Sequence, residues 1–133
     1  MQPSQKDLAL YRLARAKEDL ETAKLNYESG MYKAAINRSY YAIFHSIRAV
    51  NVLDEFDASK HSSVIAHFNR YHVYTGDFKK DTYKTIDSAY RIREKCDYSD
   101  FFIASKSDAE EQIRKAEQFY KEVQEYLDNK EIQ

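Results

Sequence analysis

An arginine and a histidine seven positions apart, Arg38 and His45, stand in the segment Asn37-Arg38-Ser39-Tyr40-Tyr41-Ala42-Ile43-Phe44-His45. On a helix, seven residues turn through about 700°, so the two side chains differ by only about 20° in direction and lie about 10 Å apart along the axis. Tyr41, three after Arg38 and four before His45, falls on the same stripe. The neighbours Ala34, Ala35, Tyr40, Ile43, Phe44 and Ile47 are apolar or aromatic. A helix of that kind is expected to be largely covered, so two ionisable groups on it require a reason. Histidine is the side chain best suited to move a proton near neutral pH. Arginine stays charged and grips phosphate oxygens as a fork, stabilising charge that develops in a transition state. The pair has the chemistry to cleave RNA without a metal, the 2′-OH attacking its adjacent phosphate while histidine serves as base or acid. Two copies of the chain meeting at this face would supply two histidines and two arginines. A structural reading stays open beside this one: Arg38 paired with Glu55 or Asp97, and His45 a satisfied core histidine.

Other reactive side chains carry less. His61, His67 and His72 are six and five apart, which is not the i, i+3 or i+4 spacing of a helical metal site, so no metal is expected on them. Cys96, the one cysteine, forms no internal disulfide and has no CxxC partner. Arg93 and Lys95 nearby would favour its thiolate, but no catalytic arrangement surrounds it, and a buried structural thiol is the expectation. Twelve tyrosines offer faces for bases to stack on, yet in a helical domain without tryptophan most are expected to pack in the core and at its rim.

The elements that position these residues read as helices. Two glycines and one proline in 133 residues leave few places to turn, which argues against an all-β fold. Ser4 with Asp7 resembles a capping box and opens a helix from about Gln5 to Glu28, ended at Ser29-Gly30 with Gly30 suited to the left-handed position. A central helix follows from about Tyr32 to Leu53, a third from about Ser59 to Tyr74 and a fourth from about Lys79 to Lys95. The third is expected to turn Val64, Ile65, Phe68 and Tyr71 inward, and the fourth Tyr83 and Ile86. The stretch Asp97-Tyr98-Ser99-Asp100-Phe101-Phe102 interrupts the pattern with aromatics. Ser107 with Glu110 makes a second capping box that opens a fifth helix. No repeat, linker or low-complexity stretch divides the chain, so residues 1–133 are read as one all-α domain, an antiparallel bundle of four to five helices.

A formal net charge of −1 excludes a simple basic nucleic-acid binder but not a local basic pocket. From Asp57 to Cys96 eight basic residues stand against five acids, and from Ser107 onward four stand against eight. The middle helices are therefore expected to present a mildly positive wall to an anion, although most such residues simply face solvent. The first residues are polar, with no signal-peptide pattern, and no apolar run is long enough for a membrane span, so cytoplasm is the expected compartment.

The Arg38–His45 segment resembles the Arg-x4–6-His signature of HEPN domains, with six residues between the arginine and the histidine. It is similar to a branch of small prokaryotic HEPN proteins. Lys60-His61-Ser62, opening the next helix, and Arg93-Glu94-Lys95-Cys96-Asp97-Tyr98 resemble two further motifs of that branch, in the same order. The resemblance implies a helical bundle that dimerises through the motif helix. It also implies a metal-independent endoribonuclease, a toxin made beside a minimal nucleotidyltransferase antitoxin. No cofactor is implied. His45 would be the general acid or base and Arg38 the phosphate binder. Asn37 would accompany the arginine and Tyr41 would shape the cleft, with His61 facing it. Arg93, Asp97 and Tyr98 match the second motif, in which Asp97 would orient Arg38 or cap a helix. One departure stands out. Some related toxins carry a tyrosine two residues after the histidine, which the partner modifies with nucleotide, and here that position is Ile47. Inhibition by complex formation is then the expected route. The alternative function is a non-catalytic HEPN subunit that partners a nucleotidyltransferase.

Overall fold

The computed structural model describes residues 4–130. Five α-helices follow one another with no strand among the described residues: α1 Gln5–Glu28, α2 Tyr32–Asn51, α3 His61–Phe68, α4 Asp81–Tyr98 and α5 Lys106–Asn129. A 3₁₀ turn, Val52–Asp54, extends α2, and a π-helical turn, Asn69–Val73, extends α3. The all-α bundle expected from the turn-poor composition is the fold observed. No helix among the described residues is long and apolar enough to cross a membrane.

α2 is the hub, packed against α1, α5, α4 and α3. Its buried residues, among them Ile36, Tyr40, Ile43, Phe44, Ile47 and Val50, point in several directions, as a helix with neighbours on most sides requires. With Phe68, Ile86, Phe119, Val123 and Leu127 they form the main core. Burying a side chain of this size contributes roughly 1.5–3 kcal/mol. The helices run antiparallel, as the cross-helix pairs show. Tyr27 meets Glu110 and Lys24 meets Glu117 between α1 and α5, while Asn37 meets Asp97 and Tyr41 meets Arg93 between α2 and α4.

The α1–α2 contact is the most extensive in the bundle. Its apolar residues are small. Ala9, Ala16 and Ala23 recur every seven residues on α1, and Ala35, Ala42 and Ala49 do so on α2, all fully buried. Three residues after an alanine stand Arg12 and Asp19 on α1, and Arg38 and His45 on α2. The polar stripes of the two helices face one another, because Asp19 reaches Arg38 and Arg12 reaches the Arg48 carbonyl. Ser39 and Ser46, also buried on α2, turn their hydroxyls back to the carbonyls of Ala35 and Ala42 and so add no unmet polar group. Gly30, with φ of +77°, supplies the left-handed residue that ends α1, as expected.

Several boundaries differ from the sequence expectation. The third helix begins at His61, because Lys60 is still extended (φ −85°, ψ 129°). α4 starts at Asp81 and carries through Asp97 and Tyr98, so these two belong to its last turn and not to the aromatic interruption. Tyr71 and Tyr83 are exposed, not inward. The α5 capping box is Ser105 with Asp108, two residues earlier than Ser107 with Glu110, and Ser107 lies within the first turn. Both capping boxes, Ser4–Asp7 and Ser105–Asp108, have aspartate as the returning residue. The widest departure is the π turn, where the Tyr74 amide reaches back five residues to the Asn69 carbonyl. Residues five apart, about 140° out of register on an α-helix, are brought to one side by this wider turn.

Ser105→Ala is expected to cost about 1 kcal/mol in urea denaturation, whereas Ser107→Ala should change stability by less than about 0.5 kcal/mol. Equal effects of the two would contradict the observed start of α5.

Candidate functional site

Arg38 and His45 share a partner on α1. Arg38 donates from Nη1 to Asp19 Oδ1 at 3.1 Å, and His45 Nε2 stands 3.8 Å from Asp19 Oδ2. The second distance is too long for a hydrogen bond. Two buried polar atoms therefore have no hydrogen-bond partner among the described residues, Asp19 Oδ2 and His45 Nδ1. The His45 side chain is 13% exposed and that of Arg38 36%, so the arginine marks the open edge of the cluster.

A ring of arginines surrounds the histidine. Burial first, then the charges of Arg15, Arg48, Arg38 and Arg12, push the His45 pKa down to about 4. The single carboxylate nearby does not reverse this, because Asp19 is itself desolvated. Its burial raises its pKa against the opposing pull of Arg38 and Arg15. At neutral pH His45 is therefore an uncharged imidazole, able to accept a proton. Arg12 and Arg48 are tied by Asp57, at 2.9 Å and 3.1 Å, and Arg12 also donates to the Arg48 carbonyl.

The other motif residues form a chain of contacts leading to Arg38. Asn37 Oδ1 accepts from Arg38 Nε and Nη2, at 3.1 Å and 2.8 Å, while its amide nitrogen faces both oxygens of Asp97 at 3.4 Å. Asp97 pairs with Arg93 Nε at 3.2 Å, a charge contact without hydrogen-bond geometry. Arg93 donates from Nη2 to the Tyr41 hydroxyl at 3.0 Å and lies 4.8 Å from the centre of the Tyr40 ring. The Arg38 guanidinium lies over the Tyr41 ring at 4.8 Å, so Tyr41 sits between two cations. His61 shares a 2.8 Å hydrogen bond with the Tyr40 hydroxyl through Nδ1 and stacks on Phe44. Burial first, then Arg93 and Arg48, lower its pKa. Seven of the eight residues singled out by sequence are thus linked. Tyr98 is the exception, at 74% exposed and outside these contacts.

Three expectations need correction. Arg38 pairs with neither Glu55 nor Asp97 directly, because Asp97 reaches it only through Asn37 and the direct carboxylate is Asp19. The positive surroundings of His45 come from α1 and α2, not from the middle helices. Cys96 is no activated thiol: burial, with Asp97 beside it, raises its pKa to about 11.

Sequence reasoning missed Arg12, Arg15, Asp19, Arg48 and Asp57. A signal was present. The buried stripe of α1 is Ala9, Arg12, Leu13, Ala16, Asp19, Leu20 and Ala23, a helical core pattern with one cation and one anion inside it.

Comparison with known proteins agrees with this arrangement. A protein of Thermotoga maritima named "UPF0332 protein" is 33% identical over 119 residues, covering 90% of each chain. Two proteins of Methanocaldococcus jannaschii carry the name "putative toxin". One is 35% identical over 112 residues (84% of this chain, 83% of the relative) and the other 28% over 120 residues (90% and 82%). The HEPN domain description matches residues 9–126, the whole of the bundle from the second turn of α1 to the last turn of α5, and the chain belongs to the HEPN domain family.

Proposed function

We propose that the chain is a metal-independent endoribonuclease of the toxin–antitoxin kind, working at a face shared by two copies of the chain. The observation that carries this reading is the convergence of Arg38 and His45 on one carboxylate, with the imidazole uncharged at neutral pH. In the proposed reaction His45 takes the proton of a 2′-OH, and the 2′ oxygen attacks the adjacent phosphorus. The bond to the 5′ oxygen breaks as that oxygen gains a proton, leaving a cyclic phosphate and a free 5′-OH. Arg38 holds the phosphate oxygens and offsets the charge that develops on them. One chain supplies one histidine, so the second proton transfer falls to the second copy. Asn37, Tyr41, Arg93 and Asp97 keep Arg38 in place, and His61 backs the same face through Tyr40. The relatives named as toxins support the biological setting. Inhibition by complex formation with a nucleotidyltransferase fits Ile47, which is 1% exposed and carries no group to modify.

A second reading, a non-catalytic subunit that binds a nucleotidyltransferase, draws on one observation. Arg38 is already held by Asp19 and Asn37, and His45 is mostly covered.

The purified chain is expected to cut single-stranded RNA in the presence of EDTA. His45→Ala should slow cleavage at least about 100-fold, and Arg38→Ala by about 100- to 1,000-fold, with helical circular dichroism unchanged. Wild-type rates in a folded His45→Ala protein would exclude the role given to His45. A folded wild type that binds a nucleotidyltransferase yet leaves RNA intact would favour the second reading.

The His45 ring, followed by NMR, is expected to titrate near pH 4, not near the ordinary value of about 6.5. Its folded-state pKa lies below its unfolded one, so the unfolded chain binds the proton more tightly. The stability associated with a neutral His45 is therefore complete above about pH 6.5 and lost as pH falls toward 4. A midpoint at or above 6.5 would contradict the environment described.

A further inference from the structure

The end of α2, the start of the π turn and the segment after it bring together two imidazoles and two carboxylates that the Arg38–His45 cluster does not use. His67 Nε2 lies 2.9 Å and His72 Nε2 2.6 Å from the same oxygen of Asp54, Oδ2. We propose that Asp54, His67 and His72 bind one divalent first-row metal ion of the zinc class, with Asp77 orienting His72 from behind.

Four observations carry this assignment. First, one ligating atom from each of the three residues lies within 4.8 Å of the others. A tetrahedral zinc site, with metal–ligand distances of about 2.0–2.2 Å, places ligand atoms roughly 3.3–3.6 Å apart. The groups need to open by less than about 1 Å, and Asp54, the least buried of the three at 33%, has room to do so.

Second, the backbone departs from regular helix to make the meeting possible. His67 and His72 are five apart, a spacing that on an α-helix sends side chains about 140° away from each other. The π turn over Asn69–Val73 removes that divergence, and turns of this kind cluster at functional sites. The spacing that argued against a metal in the sequence is therefore the spacing this backbone converts into a shared ligand direction.

Third, the protons do not balance without a cation. A neutral imidazole carries one N–H, but His72 faces a carboxylate oxygen on each side: Asp54 at Nε2 and Asp77 at Nδ1, the latter 3.4 Å away. Either a second proton or a metal ion must lie between Nε2 and Asp54. A metal there lets Nδ1–H donate to Asp77 and leaves no acceptor facing an acceptor.

Fourth, the surrounding groups hold the rings as a metal site needs. Asp77 accepts a hydrogen bond from the Tyr126 hydroxyl on α5 at 3.1 Å, completing a carboxylate–histidine relay behind the ligand. His67 is stacked on Phe56, with ring centres 4.0 Å apart and planes within 10°, and Tyr71 lies 4.6 Å away. Three protein ligands leave a fourth position for water, on the side where Asp54 is exposed.

The test uses the full chain without an affinity tag, stripped of metal by a chelator and then freed of it, and titrated calorimetrically with ZnCl2. One equivalent of zinc per chain is expected, with a rise in Tm. Asp54→Asn and His67→Gln should each weaken binding at least tenfold, and Asp77→Asn by about tenfold or more, while Cys96→Ser leaves it unchanged. Absent or substoichiometric uptake by the folded wild type overturns the proposal in favour of a hydrogen-bonded imidazolium cluster. Unchanged affinity in folded Asp54→Asn and His67→Gln overturns it equally. Should those variants unfold, the wild type decides: zinc must shift the ring ¹⁵N resonances of His67 and His72 and leave those of His61 in place, and binding without those shifts overturns the site. None of these readouts involves RNA, so the outcome is independent of the nuclease assay.

Discussion

The face between α1 and α2 sets the terms for everything else in this bundle. Helices come close where the side chains at the crossing are small, and alanines one heptad apart keep that approach close along most of both helices. A long polar side chain one turn beyond such an alanine has nowhere to go except toward the opposite helix or out along the groove. Asp19, Arg38 and His45 occupy such positions, and Asp19 meets both of the others. Ala16 and Ala42 sit within the same stretch, between Arg12 and Asp19 on one helix and between Arg38 and His45 on the other. A larger residue at either alanine would widen the gap that Asp19 has to span.

The electrostatics follow from the same crowding. Desolvating a carboxylate costs several kcal/mol, and a partly covered ion pair recovers that cost only with good geometry. Here one oxygen of Asp19 is well used by Arg38 and the other is left without a hydrogen bond. Four arginines on two helices then make a proton on His45 expensive. Such an arrangement is a poor way to stabilise a fold. It is a good way to keep an imidazole basic in form but uncharged, beside a guanidinium fixed by Asn37 and an aromatic ring.

The parts of the molecule that were legible in the amino-acid order are those written in local chemistry. α1 could be placed from Ser4–Asp7 to Ser29-Gly30 because caps and a left-handed glycine are short-range signals. The Arg38–His45 stripe was readable because helical geometry alone puts those two residues on one side. Asp19 was not readable as their partner, since only tertiary packing says which carboxylate lies across the interface, and Glu55 and Asp97 had equal claim. The start of α5 was displaced by two residues because Ser105 and Ser107 are both followed, three positions on, by an acid. Only the backbone angles at Ser105, extended at φ −86° and ψ 162°, separate them. The π turn left no trace in residue types, because its cause is the demand of neighbours for His72 and Val73 to be buried together.

That widened turn makes the length of the chain, not only its composition, a determinant of what the far end of α3 can hold. Removing any one residue between Phe68 and Tyr74 would let the segment wind as ordinary α-helix and rotate all that follows by about 100°. His72 would swing off Asp54, and Val73 would leave its buried position, although not one of the interacting side chains had been changed. Among related chains, a gap of a single position in this stretch would therefore separate those able to assemble the histidine pair from those that keep both histidines but hold them apart.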